Sequence, residues 1–209
     1  MKNDFLTINL SDTVMVSDPG YTEPTWCQAK LGRIKPGQYY AMVKKHDSGD
    51  WGERNSMLLV IHADHINDEL KWARQKDYQI GVDSGQAGIF SYDTYRKDDI
   101  FVTKSNFAKQ WPAFEKDDTE GEKWYGHMCD KTLGEESWGV YDNGVVTSSG
   151  IGDGGYPLYV VRDKSNDQIV AMKIDFLLDD EEDEYDVCPE CGGEMDFGDN
   201  ICESCQNEK

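Results

Sequence analysis

The chain has 209 residues, with 41 acidic and 21 basic side chains and a formal net charge of −20, which excludes a basic protein that coats DNA or RNA. Its length allows one ample core with a small appendage, and 38% hydrophobic with 11% aromatic residues are too many for a disordered acidic tail. No apolar run is long enough to cross a bilayer, and residues 1–10 lack the basic end and apolar stretch of a signal peptide, so a soluble, cytoplasmic protein is expected.

In chain order, Thr13 to Val16 predicts a strand that ends in the turn Ser17-Asp18-Pro19-Gly20-Tyr21. Lys35-Pro36-Gly37 opens a strand over 38–45, with Tyr39, Ala41 and Val43 on one face and Tyr40 and Met42 on the other. A polar loop over 46–56 follows, its acids spaced loosely like a cation loop but without the terminal glutamate of an EF-hand. Met57 to Ile61 then reads as a central strand. His62, Asp64 and His65 read as a strand-to-helix turn capped by Asp64 rather than a metal patch, because a three-residue spacing suits one helix face and this segment leaves a strand. Ile66, Leu70 and Ala73 give a weak helical stripe. Strands over 78–82 and 86–91 flank Asp83-Ser84-Gly85.

Ser105 to Gln110 predicts a helix stopped by Pro112, and Thr119-x-x-Glu122 predicts a capping box. Trp124, Tyr125, Met128 and Cys129 then recur at helical spacing, a stripe that suits a core better than a ligand cage. Strands over 137–141 and 145–148 are joined by Asp142-Asn143-Gly144, whose Asn-Gly pair suits a turn with positive φ. Strands over 156–162 and 168–176 enclose Asp163 to Asp167. The expected class for residues 1–176 is α+β, mainly an antiparallel β-sheet or sandwich with a few short helices.

Beyond Phe176 the composition changes. Residues 177–209 hold 13 of the acids and one base, Lys209, so they carry −12 of the net charge and leave −8 to the first 176 residues. Residues 177–187 include seven acids within eight positions, which read as a solvated linker. Residues 188–209 carry Cys188-Pro-Glu-Cys191 and Cys202-Glu-Ser-Cys205. Two Cys-x-x-Cys turns can aim four thiolates at one tetrahedral Zn²⁺, a better reading than two disulfides in a reducing compartment. The segment resembles a zinc ribbon with rubredoxin-type knuckles, departing from it at Gln206. With no arginine and one terminal lysine, it fits a structural or protein-docking zinc ribbon rather than a nucleic-acid reader.

Three glycine-bearing segments invite comparison with known chemistry. Gly150-Ile-Gly-Asp-Gly-Gly155 has the letters of a dinucleotide fingerprint, but Tyr156-Pro157 and a β-branched run follow where a helix is required. Gly81-Val-Asp-Ser84-Gly85 lacks the central serine of a nucleophile elbow. Cys129 with His127 offers a nucleophile and base, against the commoner role of a buried small hydrophobe. Taken together, Val16-Ser-Asp-Pro-Gly-Tyr21, Gly81-Val-Asp-Ser-Gly-Gln-Ala-Gly88 and Ser149-Gly-Ile-Gly-Asp-Gly-Gly-Tyr-Pro157 resemble an uncharacterised bacterial and phage family with Asp-Ser-Gly and Gly-Asp-Gly-x-Tyr-Pro turns. The resemblance spans most of residues 13–162, implies no activity, and draws attention to Asp18, Tyr21, Asp83, Ser84, Asp153 and Tyr156 as a shared ligand-binding surface at strand ends. The glycines serve equally as plain turn formers.

The expected function is non-enzymatic: a protein partner or small-molecule ligand is bound, without membrane or direct nucleic-acid contact. Two alternatives remain at this point, a metal-assisted hydrolase using Asp83 and Asp153 and an acidic nucleic-acid mimic. The concentration of charge in one short linker argues against the mimic.

Overall fold

The computed structural model describes residues 5–101, 103–112 and 120–177. The acidic linker beyond Leu177, the zinc-ribbon cysteines Cys188, Cys191, Cys202 and Cys205, and Thr119 lie outside the described residues. Among the described residues eleven strands form two sheets: β1 (Leu6–Leu10), β2 (Val14–Ser17), β3 (Ala29–Leu31), β4 (Gly37–Asp47), β5 (Glu53–His62), β6 (Ala73–Val82), β7 (Gln86–Ser91), β8 (Trp138–Tyr141), β9 (Gly144–Ser148), β10 (Gly154–Arg162) and β11 (Ile169–Asp175). One sheet has the order β1-β4-β5-β11-β10-β6 and the other β3-β2-β7-β9-β8. Every strand pairing within them is antiparallel. The class is therefore β-rich α+β, a sandwich with two α-helices among the described residues, α1 (Asn106–Gln110) and α2 (Glu122–Thr132).

Burial follows the alternation of side chains along each strand. Tyr39 and Ala41 of β4 face inward and are buried, with Val43 packed beside them. They meet Leu58 and Val60 of β5, Val14 and Val16 of β2, Ile89 of β7 and Leu158 of β10 in one inter-sheet core. The opposite face of the five-stranded sheet is covered by α2. Trp124 and Met128 pack there on Met15, Phe90, Tyr95 and Val146, with the Trp124 ring edge-on to both Phe90 and Tyr95. A smaller cluster on the outer face of the six-stranded sheet joins Ile61, Val161, Val170 and Ala171 to Leu70 and Trp72. Asn55 links the two sheets, its Nδ2 donating to Thr147 Oγ1 at 2.8 Å and to Ser148 Oγ at 3.0 Å.

Four local expectations are corrected. The stripe Ile66, Leu70, Ala73 is not a helix: a 3-10 turn occupies Ala63–His65, Ala73 opens β6, and Leu70 and Trp72 cover the outer sheet face at the two-residue spacing of extended chain. The polar loop shrinks to residues 48–52, because β4 and β5 continue outward as a hairpin on which Lys45 reaches Glu53 and Glu136, each at 3.4 Å. Helix α2 begins at Glu122, so its N-cap position falls at Gly121, at φ 102, and not at Thr119, with Asp98 Oδ1 accepting from the Trp124 N–H at 2.8 Å. The hairpin at Asp142-Asn143 exists, yet neither Asn143 nor Gly144 has positive φ. Gly144 is needed for space: a Cβ there would sit 2.9 Å from Ile89 O and from the rings of Phe90 and Tyr141.

The predicted helix at Ser105 is present, the Ser105 hydroxyl accepting from the Ala108 N–H at 2.9 Å. Among the described residues no helix is long and apolar enough to cross a membrane. Because Trp124 is the ring on which α2 seats, Trp124→Ala should destabilise the protein by about 3–5 kcal/mol. Urea melts of the two proteins check this, and an unchanged midpoint would remove α2 from the cooperative core.

Candidate functional site

Two of the tight crossings between the sheets lie side by side. Residues 83–85 carry it from β6 to β7, and residues 149–153 carry it from β9 to β10. Beside them lies the loop over 18–28, between β2 and β3. Both of these crossings turn through glycine in the left-handed region, Gly85 (φ 68) and Gly150 (φ 47).

Asp18 binds the first crossing. Its carboxylate is fully buried. Oδ2 accepts from the N–H groups of Asp83 (2.8 Å) and Ser84 (2.7 Å), and Oδ1 accepts from the Gly20 N–H and the Ser84 hydroxyl, each at 2.7 Å. Four short bonds to an ionised acceptor are the condition under which a carboxylate survives burial. The second crossing is tied to the first: Asp153 Oδ1 accepts from the Gly85 N–H at 3.0 Å, and Gly85 O accepts from the Ser149 N–H at 2.9 Å. The loop over 18–28 is held from its other side by Arg96. This buried side chain donates through one nitrogen to Pro19 O (2.9 Å) and Gly20 O (3.2 Å) and lies 3.5 Å from Glu122 through another.

The remaining groups extend the network inward. Gln28 donates to Ser17 Oγ and Tyr95 Oη, each at 3.0 Å, and the Tyr95 hydroxyl donates to Tyr21 O at 2.7 Å. Burial pushes the Tyr95 hydroxyl up to about 12. Burial also raises Tyr21, with a further contribution from the adjacent Cys27 thiol, and raises Tyr125, which lies beside Cys129 and within hydrogen-bonding reach of Ser84. The Cys129 thiol is raised in the same way. These groups are protonated near neutrality, and Tyr125 Oη and Cys129 Sγ accept from Gln86 Nε2 at 3.5 and 3.6 Å. His127 lies two positions from Cys129 on α2 and faces elsewhere, stacked on Phe101 with Nε2 at 2.8 Å from Thr103 O, while Cys129 meets Gln86. Two residues correspond to about 200° of helix rotation, so the pair cannot serve as nucleophile and base.

Of the residues singled out in the sequence, Asp18, Asp83 and Ser84 meet directly, and Asp153 joins through Gly85. Tyr21 follows through its N–H to Asp18 O at 3.3 Å. Tyr156 points into the core instead, its hydroxyl donating to Gly152 O at 2.7 Å and so closing the second crossing from inside. The hydrolase alternative rests on Asp83 and Asp153, and both are exposed. Among the described residues no group of three or more His, Cys, Asp or Glu side chains is placed to hold a metal ion. Gly150-Ile-Gly-Asp-Gly-Gly155 leads into strand β10, as the sequence context requires.

Sequence reasoning missed Arg96, Gln28 and Tyr95, which carry no motif. It also missed Trp26 and Ile151, which are 87% and 69% exposed on these loops. The only signal for Trp26 is its place in a Pro-Thr-Trp turn segment outside any strand pattern. Replacing Asp18 by Ala would strand three backbone N–H groups and a hydroxyl, so Asp18→Ala should cost about 3 kcal/mol or more. Asp18→Asn, which keeps one acceptor oxygen, should cost less. Denaturant melts of both variants check the order, and equal losses would contradict it.

No curated protein matches the chain, and neither does any solved structure. The family described as protein of unknown function (DUF4241) matches residues 11–174, from just before β2 to the last residues of β11. The chain therefore belongs to the DUF4241 family.

Proposed function

We propose that this chain is a non-enzymatic interaction protein that docks a cationic segment of a partner protein on the loop rim formed by residues 18–28, 83–85 and 149–153. The observation that carries the reading is the pairing of Trp26 and Ile151, both largely exposed, with the exposed carboxylates of Asp83 and Asp153 on loops that touch one another. Large apolar side chains left in water on a rigid scaffold are the usual anchors of an interface, tryptophan foremost.

Charge selects the partner. The three loops contain four acids, Asp18, Glu23, Asp83 and Asp153, and no lysine or arginine. A lysine or arginine of the partner gains both the carboxylates and the face of Trp26. A second copy of this chain, at −20, is repelled. The zinc-ribbon cysteines Cys188, Cys191, Cys202 and Cys205 complete the proposal as a structural Zn²⁺ knob appended to this domain.

Two measurements test it. Affinity capture with the intact chain should recover a protein partner that Trp26→Ala and Asp83→Lys each weaken by about tenfold or more. Trp111→Ala, at a half-exposed tryptophan beyond α1, should leave that capture unchanged. Equal loss in all three variants, or none in the rim variants, would defeat the rim assignment. Separately, metal analysis of the reduced, purified protein should find about one zinc per chain, and finding none would defeat the ribbon.

A further inference from the structure

Away from the rim, two histidines close a corner at the end of β5. His62 Nδ1 accepts from the Asp64 N–H at 3.1 Å, which places the proton of a neutral ring on Nε2, and the Pro36 backbone lies within reach of the ring. His62 is thus neutral with its proton on Nε2. His65 has the opposite tautomer. Its Nε2 lies 3.1 Å from Lys35 Nζ, an ammonium with protons to give and no lone pair, so this nitrogen accepts. The proton sits on Nδ1 and is shared with Asp68 Oδ2 at 2.7 Å. Three of the four ring nitrogens thus have a polar partner, and at His62 Nδ1 that partner is a donor that only an unprotonated nitrogen can meet.

The corner holds three things together. Lys35 and Pro36 lead into β4, His62 ends β5, and residues 66–72 continue as a strap whose Leu70 and Trp72 cover Ile61, Val161, Val170 and Ala171 on the outer sheet face. We propose that this corner is an acid-operated latch: protonation of His62 sets donor against donor at the Asp64 N–H, and the strap over 66–72 lifts from the sheet.

The charged groups facing the pair come from every neighbouring element. Lys35 opposes protonation. Asp64, which also takes Lys35 Nζ at 2.8 Å, and Asp68 favour it, and Asp163 on the β10–β11 turn acts on His65 and Lys35 from farther away. Burial first, and Lys35 second, hold His62 below the ordinary histidine range. A folded-state value below the unfolded one means that the stabilisation is complete above about pH 6.5 and is lost as pH falls through the folded value.

The test is hydrogen exchange of the full chain at about pH 7.5 and 5.5, corrected for intrinsic rates, with ¹⁵N spectra of the histidine rings. One group freed to protonate at 6.5 should raise the opening of residues 62–72 by about tenfold at the lower pH, while β7 and β9 stay protected. In His62→Asn/His65→Gln, which cannot titrate, that increase should vanish. The ring spectra need no variant: at the higher pH they should show His62 protonated on Nε2 and His65 on Nδ1. A charged ring or the reverse tautomers at that pH, or exchange that ignores pH or survives in the double variant, would overturn the latch.

Discussion

A carboxylate with no exposed surface must find its donors inside the protein, and turn amides with no strand partner must find acceptors. At Asp18 these two demands cancel. The N–H groups of Gly20, Asp83 and Ser84 belong to turns, so no ladder neighbour is available to them, and the Asp18 oxygens take all three together with the Ser84 hydroxyl. The crossing from β6 to β7 is thereby fastened to the end of β2, and through Gly85 to the crossing from β9 to β10. Without that carboxylate the sheets would still pack, but their connections at this end would have no common anchor.

Arg96 completes the anchor from behind. A non-glycine residue at φ 56 is unfavourable, and its neighbour Gly121 has no room for a Cβ because the guanidinium lies there. That conformation brings the guanidinium to two carbonyls of the Asp18 turn and near Glu122 at the start of α2. The helix that covers the outer face of the five-stranded sheet and the loops at its end therefore share one buried cation. Stiffness follows on the inner side of the rim, while the outer side keeps Trp26, Ile151, Asp83 and Asp153 in solvent. A surface of this kind loses little conformational entropy when a partner arrives.

How far the sequence revealed this depends on the kind of signal each residue carries. Inward-facing alternation made β4 legible, with Tyr39, Ala41 and Val43 on the core side, and Ser105 announced α1. The first half of β6 was hidden because Arg74, Gln75, Lys76 and Asp77 form a solvated edge strand with no apolar alternation. For the same reason Ile66, Leu70 and Ala73 imitated a helix across the strap and the start of that edge. Asp64 looked like a cap, yet His62 caps the turn with its ring nitrogen, a bond that no spacing rule announces. The glycine-bearing turns pointed to Asp18, Asp83, Ser84 and Asp153 because the crossings over 83–85 and 149–153 turn through positive-φ glycine. They gave no sign that Asp18 is interior and Asp83 exterior, since burial is set by pairing between segments 65 residues apart in the chain.

The account stands most directly on the shared carboxylate, and site-resolved hydrogen exchange of Asp18→Asn in the full chain addresses it. One acceptor oxygen in place of two ionised ones should speed exchange at Gly20, Asp83 and Ser84 together and at Gly85 with them, leaving the amides of β5 and β11 as slow as before. Amides that respond one at a time, or that keep their protection, would show that the loops are held by something other than Asp18.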